Sequence, residues 1–128
     1  MRRQIFTKKG SEPKGPYSPA IVAEGPLVFV SGQGPVDPDT GEMRLESFRE
    51  QAELAFQNVT VLLEAAGTSW ENAVKVGVFL ADLGNFAEMN EIYRRYLTPP
   101  FPARTTVQAG LAPGMAIEVD CIAVIPQE

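Results

Sequence analysis

The chain has 128 residues, 45% of them apolar, and its 11 basic and 16 acidic side chains leave a formal net charge of −5. That is enough chain and apolar surface for one domain with a core, and the acidic balance argues against a surface built for phosphate backbones. There is no histidine and one cysteine, Cys121, which excludes an internal disulfide, Ser–His and Cys–His nucleophile pairs, and the usual zinc and non-haem iron sites.

The N-terminal "MRRQIFTKKG" is basic but no apolar stretch follows it, so it does not read as a secretory signal. No apolar run is long enough to span a bilayer. A reducing, cytoplasmic location is the expectation. "RQIFT" reads as a short strand and "KKGSEPKGPYSPA" as a loop dense in glycine and proline. "IVAEGPLVFVSGQ" reads as two strands around a Gly-Pro turn, a hairpin. Ser31 and Gln33 flank Gly32 and are expected to face the same way. Gly32 permits close backbone approach, or is a bulge glycine. "GPVDPDTGEM" is turn chemistry throughout.

Ser47 with Glu50 fits a capping box, and Gly67 fits a helix stop. Between them Phe48, Ala52, Ala55, Phe56, Val59, Leu63 and Ala66 recur at helical spacing. Trp70 reads as a packing residue of the core or surface. "NAVKVGVFLA" is a strand with Val74, Val76, Val78 and Leu80 on one face. A second helix is expected from about Asn85 to Leu97, with Phe86, Met89, Tyr93 and Leu97 as its stripe. Asn90 lies beside that stripe, where a half-buried amide needs partners.

Two strands close the chain. In "ARTTVQ" Arg104, Thr106 and Gln108 share one face, and Ala103, Thr105 and Val107 the other. In "AIEVDCIAVI" Ile117, Val119, Cys121, Ala123 and Ile125 share a face, with Ile122 and Val124 opposite. Cys121 reads as a small core hydrophobe. The order β-β-β-α-β-α-β-β is an α+β plan with a mixed sheet. Two helices cover one face of such a sheet, so its second apolar face calls for self-association.

The segments "GPYSPA", "VSGQGPVDPDTGE", "NVTVLLEAAG", "VKVGVFLADLGNFAEMNEIY" and "PARTTVQ…IEVDCIAV" resemble the RidA/YjgF family of enamine/imine deaminases over essentially the whole chain, residues 1–128 as a single domain. The resemblance implies a chorismate-mutase-like α+β fold and a homotrimer with a pocket at each subunit interface. It implies hydrolysis of reactive enamines and imines, such as 2-aminoacrylate, to 2-keto acids and ammonia, without cofactor or metal. Arg104 matches the arginine that grips the substrate carboxylate, and Glu118 the glutamate near the attacking water. Tyr17, Ser31 and Asn90 match pocket-lining positions. Thr106 stands where many members have a cysteine, and Thr105 beside it where a smaller or apolar residue is more usual. Both are expected at the substrate. "YLTPPFPAR" is shorter than in many relatives, which bears on the pocket mouth.

These roles agree with what the residues can do unaided. A guanidinium offers two parallel donors that match a carboxylate. A glutamate whose pKa is raised by burial can take a proton from water and return it to a leaving amine. Asp120 shares the face of Glu118 and competes for that role. Arg104 as a structural ion pair is the bland alternative, as is Asn90 holding a loop. Two other functions stay open. One is a ribonuclease or translation inhibitor, which the acidic balance disfavours. The other is a non-catalytic metabolite-binding or chaperone-like module.

Overall fold

The computed structural model describes residues 1–127. The strands are β1 (Arg2–Ile5), β2 (Ala20–Ala23), β3 (Leu27–Gln33), β4 (Ala73–Leu80), β5 (Ala103–Gln108) and β6 (Ile117–Val124), and the helices are α1 (Phe48–Ala65) and α2 (Phe86–Tyr96). A four-stranded mixed sheet runs β3-β6-β4-β5, with β4 and β5 parallel and the other neighbours antiparallel. β1 and β2 form a separate antiparallel pair. Both helices pack on one face of the large sheet, the α+β plan read from the sequence.

The expected hairpin across Gly25-Pro26 does not form. β2 pairs with β1, and β3 pairs with β6. The chain turns at Gly25, whose φ is 121°, and Pro26 turns its carbonyl to the N–H of Ile125 instead of to β2. Proline has no N–H for a local ladder, while β6 offers β3 a longer one.

α1 starts where its cap predicts. The Ser47 Oγ accepts from the N–H of Glu50 at 3.2 Å, and Gly67, at φ 87°, takes the chain out of the helix. Its buried face holds Ala52, Ala55, Phe56, Val59 and Leu63, and also Gln51 and Asn58. Phe56 anchors an aromatic group. It stacks on Tyr96 at 5.1 Å and meets Trp70 and Tyr93 at tilted and edge angles. Trp70 is a core residue, and its indole N–H donates to Thr60 Oγ1 at 2.8 Å. Arg49 pairs with Glu88 and Glu91, and Arg95 with Glu53, across the exposed α1–α2 seam. Such solvated pairs add little stability each.

Three alternation readings shift. A bulge in β4 between Ala73 and Lys75 puts Ala73 in the core and leaves Val74 half-buried. A second bulge sits in β3. Val30 pairs with Cys121 and Gln33 with Val119, so Ser31 and Gly32 together oppose Asp120. Gln33 therefore returns to the helix side and does not share the direction of Ser31. In α2 the buried residues are Met89, Ile92 and Tyr93, with Leu97 just beyond, whereas Phe86 is 40% exposed at the helix start.

Val76, Val78 and Leu80 of β4, with Ile117, Val119, Cys121 and Ala123 of β6, form the sheet side of the core. Among the described residues no helix covers the opposite face. There Phe29 is 69% and Val107 39% exposed, beside Phe79 and Ile122, around a concavity of about 370 Å³.

Burial pushes the Cys121 thiol up to about 12. Folding therefore keeps a proton that the unfolded chain loses near its ordinary value of 9.0. This part of the stability is fully present below that value and is lost as pH rises towards the folded one. Urea midpoints should fall as pH rises through that window, less steeply in Cys121→Ala. Iodoacetamide should label the thiol in urea and spare it in the native protein.

Candidate active site

Arg104 is the second residue of β5, an outer strand of the sheet. It lies beside Val76 of β4, and Thr106 beside Val78, so both point to the helix-covered face. The guanidinium enters the space between α2 and the loop before β2. Its Nη1 donates to Asn90 Oδ1 at 2.7 Å. Its Cζ lies 4.9 Å from the Tyr93 ring centre, 5.6 Å from that of Tyr17 and 5.7 Å from that of Phe86. Burial lowers its pKa from the ordinary arginine value, which still leaves it charged. None of the ion pairs among the described residues includes Arg104.

Each neighbour is there for a local reason. Asn90 and Tyr93 lie three residues apart on one side of α2. Tyr93 is fully buried, and its hydroxyl has no hydrogen-bond partner among the described residues. Burial pushes that hydroxyl well up, and Arg104 and Arg2 each pull it part of the way back. Tyr17 follows the buried Pro16 and accepts at its hydroxyl from the N–H of Lys14 at 3.3 Å. A Cβ at Gly15 would lie 3.7 Å from Arg104 Nη2, at ordinary contact distance, so the loop runs directly against the cation. The Thr106 Oγ1 is also buried without a partner among the described residues.

The loop leading to Arg104 is tied to the N-terminal part of the chain. Ser18 is buried. Its hydroxyl donates to the Phe101 carbonyl and its N–H to the Pro102 carbonyl, the latter at 3.0 Å. Sequence reading passed over Ser18, because a serine after a Gly-Pro loop looks like ordinary turn chemistry. The Pro99–Pro100 peptide is cis.

The remaining expected residues lie elsewhere. Glu118 pairs with Phe79, and Asp120 with Gly77, so both carboxylates project from the helix-free face. Thr105 shares that face, and its Oγ1 accepts from Lys75 Nζ at 2.9 Å. Ser31 is exposed on β3, at the other edge of the sheet, about 14 Å from β5 by strand spacing. The structure thus brings Tyr17, Asn90 and Thr106 to the side of Arg104, and sets Glu118, Thr105 and Ser31 apart from it within one chain. Glu118 folds over Gly32, where any Cβ would overlap its carboxylate and lie 3.0 Å from its Cγ.

The helix-face buried polar residues position this second group. Asn58 Nδ2 donates to the carbonyls of Gly34 and Val36 at 3.1 and 2.8 Å, just after the β3 bulge. Gln51 accepts from the Ala116 N–H at 2.8 Å, two residues before Glu118. Neither was recognised as a site support in the sequence, since both interrupt the apolar pattern without any motif.

The fold is of the α+β class, two helices on a mixed sheet, and its candidate site is an aromatic-walled arginine with no carboxylate partner among the described residues. More particularly, the chain belongs to the RidA/YjgF family: the family model described as Endoribonuclease L-PSP matches residues 7–125. The human 2-iminobutanoate/2-iminopropanoate deaminase is 38% identical over 125 residues, which are 97% of this chain and 90% of the relative. The crystal structure of RidA from an Antarctic Psychrobacter superposes with a TM-score of 0.74 at 42% identity, covering 96% of this chain and 99% of that one. Escherichia coli TdcF, solved with bound serine, gives a TM-score of 0.71 at 37% identity, covering 95% and 98%.

Gly32→Ala should fold and melt close to the wild type yet displace the Glu118 side chain. A crystal structure of the variant with Glu118 in its original place would contradict the contact described.

Proposed function

We propose that this chain hydrolyses 2-imino acids and their enamine tautomers to 2-keto acids and ammonia. The observation that carries this reading is Arg104, a charged fork held by Asn90 and aromatic faces with no carboxylate of its own among the described residues. The deaminase name of the human relative and the serine bound to TdcF, an amino acid with a carboxylate, support it.

In the proposed reaction the substrate carboxylate pairs with Arg104. This fixes the plane of the imine as well as its charge. Tyr17 and Phe86 wall the site, and the unpartnered Thr106 hydroxyl is available to the attacking water. Water adds to C2 of the C=N bond and loses a proton to Glu118. Glu118 returns that proton to the nitrogen, giving a carbinolamine. It then carries the proton of the new hydroxyl to the nitrogen as the C–N bond breaks, so that ammonia leaves and the carbonyl of the keto acid remains. No thiol or metal takes part in these steps.

Arg104 and Glu118 project from opposite faces of one chain's sheet, so the mechanism requires Glu118 from a second copy. The outer strands β3 and β5 stand at opposite edges, and the exposed apolar face lies between them. A head-to-tail ring of three copies brings one edge to the other and covers that face. The homotrimer is therefore part of the proposal, with Ser31 and Gly32 of one copy completing the pocket of the next.

Arg104→Ala should cost about a hundredfold or more in kcat/KM while the protein stays folded, since a bidentate charged pair contributes roughly 3 kcal/mol or more. Arg104→Lys should recover little, because an ammonium lacks the planar fork. Arg104→Ala chains assembled with Glu118→Gln chains should regain about a quarter of the wild-type rate, the share of interfaces that combine both intact residues. A mixture as inactive as its parents would place both groups in one chain and overturn the shared site. Keto-acid release, with imines supplied by an amino-acid oxidase, measures all of these.

A further inference from the structure

The family model begins at residue 7, so β1 lies outside the matched stretch. Arg2 of that strand nonetheless reaches the approach to β5. Its Nη2 donates to the Pro100 carbonyl at 2.6 Å and its Nε to the Glu71 carbonyl at 2.8 Å. Pro100 is four residues before Arg104, and Glu71 two residues before β4. Arg2 therefore clamps together the entries of the two parallel strands. With the Ser18 contacts, the carbonyls of Pro100, Phe101 and Pro102 are each held by the N-terminal segment.

The third nitrogen, Nη1, is buried without a partner among the described residues, as is the Tyr93 hydroxyl. Burial lowers the pKa of Arg2, and the Tyr93 hydroxyl acts on Arg2 and Arg104 alike. None of the ion pairs among the described residues includes Arg2. A planar donor on two loop carbonyls is suited to fixing geometry.

We propose that Arg2 is a positioning residue: by holding the Pro100 and Glu71 carbonyls it sets where β5 begins, and so where the Arg104 guanidinium stands over Tyr93. The inference rests on the reading of Arg104 as the carboxylate anchor. An anchor that holds the carboxylate less well loses binding shared by substrate and transition state alike. The loss falls on substrate affinity, because Arg2 touches neither the reacting carbon nor the nitrogen.

The test uses residues 1–128 with any tag at the C-terminus. Arg2→Met keeps much of the stem and removes the donors, and Arg2→Lys keeps the charge and can reach one carbonyl. KM and kcat for imine hydrolysis are measured with the melting temperature and the calorimetric affinity for 2-oxobutanoate, a keto-acid probe. Arg2→Met should raise KM and weaken 2-oxobutanoate binding by about tenfold, with kcat nearly unchanged, the signature of lost uniform binding. Arg2→Lys should lie in between. A lower melting temperature with KM and probe affinity as in the wild type would show a purely structural brace and overturn the proposal. Should Arg2→Met fail to fold, unchanged KM and affinity in Arg2→Lys overturn it equally. Arg104→Ala is the control. If it binds 2-oxobutanoate as the wild type does, the anchor reading itself falls. If it loses binding while both Arg2 variants keep it, only the role of Arg2 falls.

Discussion

Val76 of β4 lies between Cys121 of β6 and Arg104 of β5, and Phe79 lies beside Glu118. This register on one central strand fixes the direction of each proposed catalytic side chain. Neighbouring residues in adjacent strands share a face, and successive residues within a strand alternate. Arg104 inherits the direction of Val76, into the space under α2. Glu118 inherits that of Phe79, away from the helices. A slip of one residue in either ladder would send one of these ions to the wrong side and an apolar residue to water. The core that holds the register is the same one that separates the two charges.

Burying a cation without an anion is costly, and the local structure offsets the cost in a particular way. Asn90 supplies one acceptor to the guanidinium, and three rings turn their faces towards it. Amide and ring faces are weaker partners than a carboxylate. The arrangement stabilises the guanidinium while leaving it without the carboxylate that the proposed substrate would supply. Tyr93 serves both ends of this arrangement. Its ring packs against Phe56 in the core and lies under Arg104 at the site. Packing of α1 against α2 is in this way continuous with the geometry of the site.

α1 supports the other group of residues at longer range. Gln51 and Asn58 are seven residues apart, hence on one side of the helix. They bind backbone groups in the loops beside β6 and β3. Those loops flank Glu118 and Gly32. Buried amides fully engaged with backbone fix loops well, because breaking one such contact leaves an unsatisfied group in the core.

Local pattern in the sequence was enough for both helices, the Ser47 cap, the Gly67 exit and the alternation of β5 and β6, since each depends on neighbours a few residues away. The motif around Arg104 marked the family as well. Strand pairing depends on which distant ladder is longest, and so the apparent hairpin at Gly25-Pro26 dissolved into two long-range pairings. The bulges at Val74 and at Ser31–Gly32 were equally invisible, because an extra residue in one strand is defined only by its partner. Phe86 looked like core by spacing, and became a wall of the site because Arg104 arrives beside it. The sequence by itself marked Arg104 and Glu118 as the residues proposed to carry the chemistry, and determined which faces of its helices are apolar. The tertiary structure alone decided that Arg104 and Glu118 stand on opposite sides of one sheet, because facing is a property of register between strands remote in the chain.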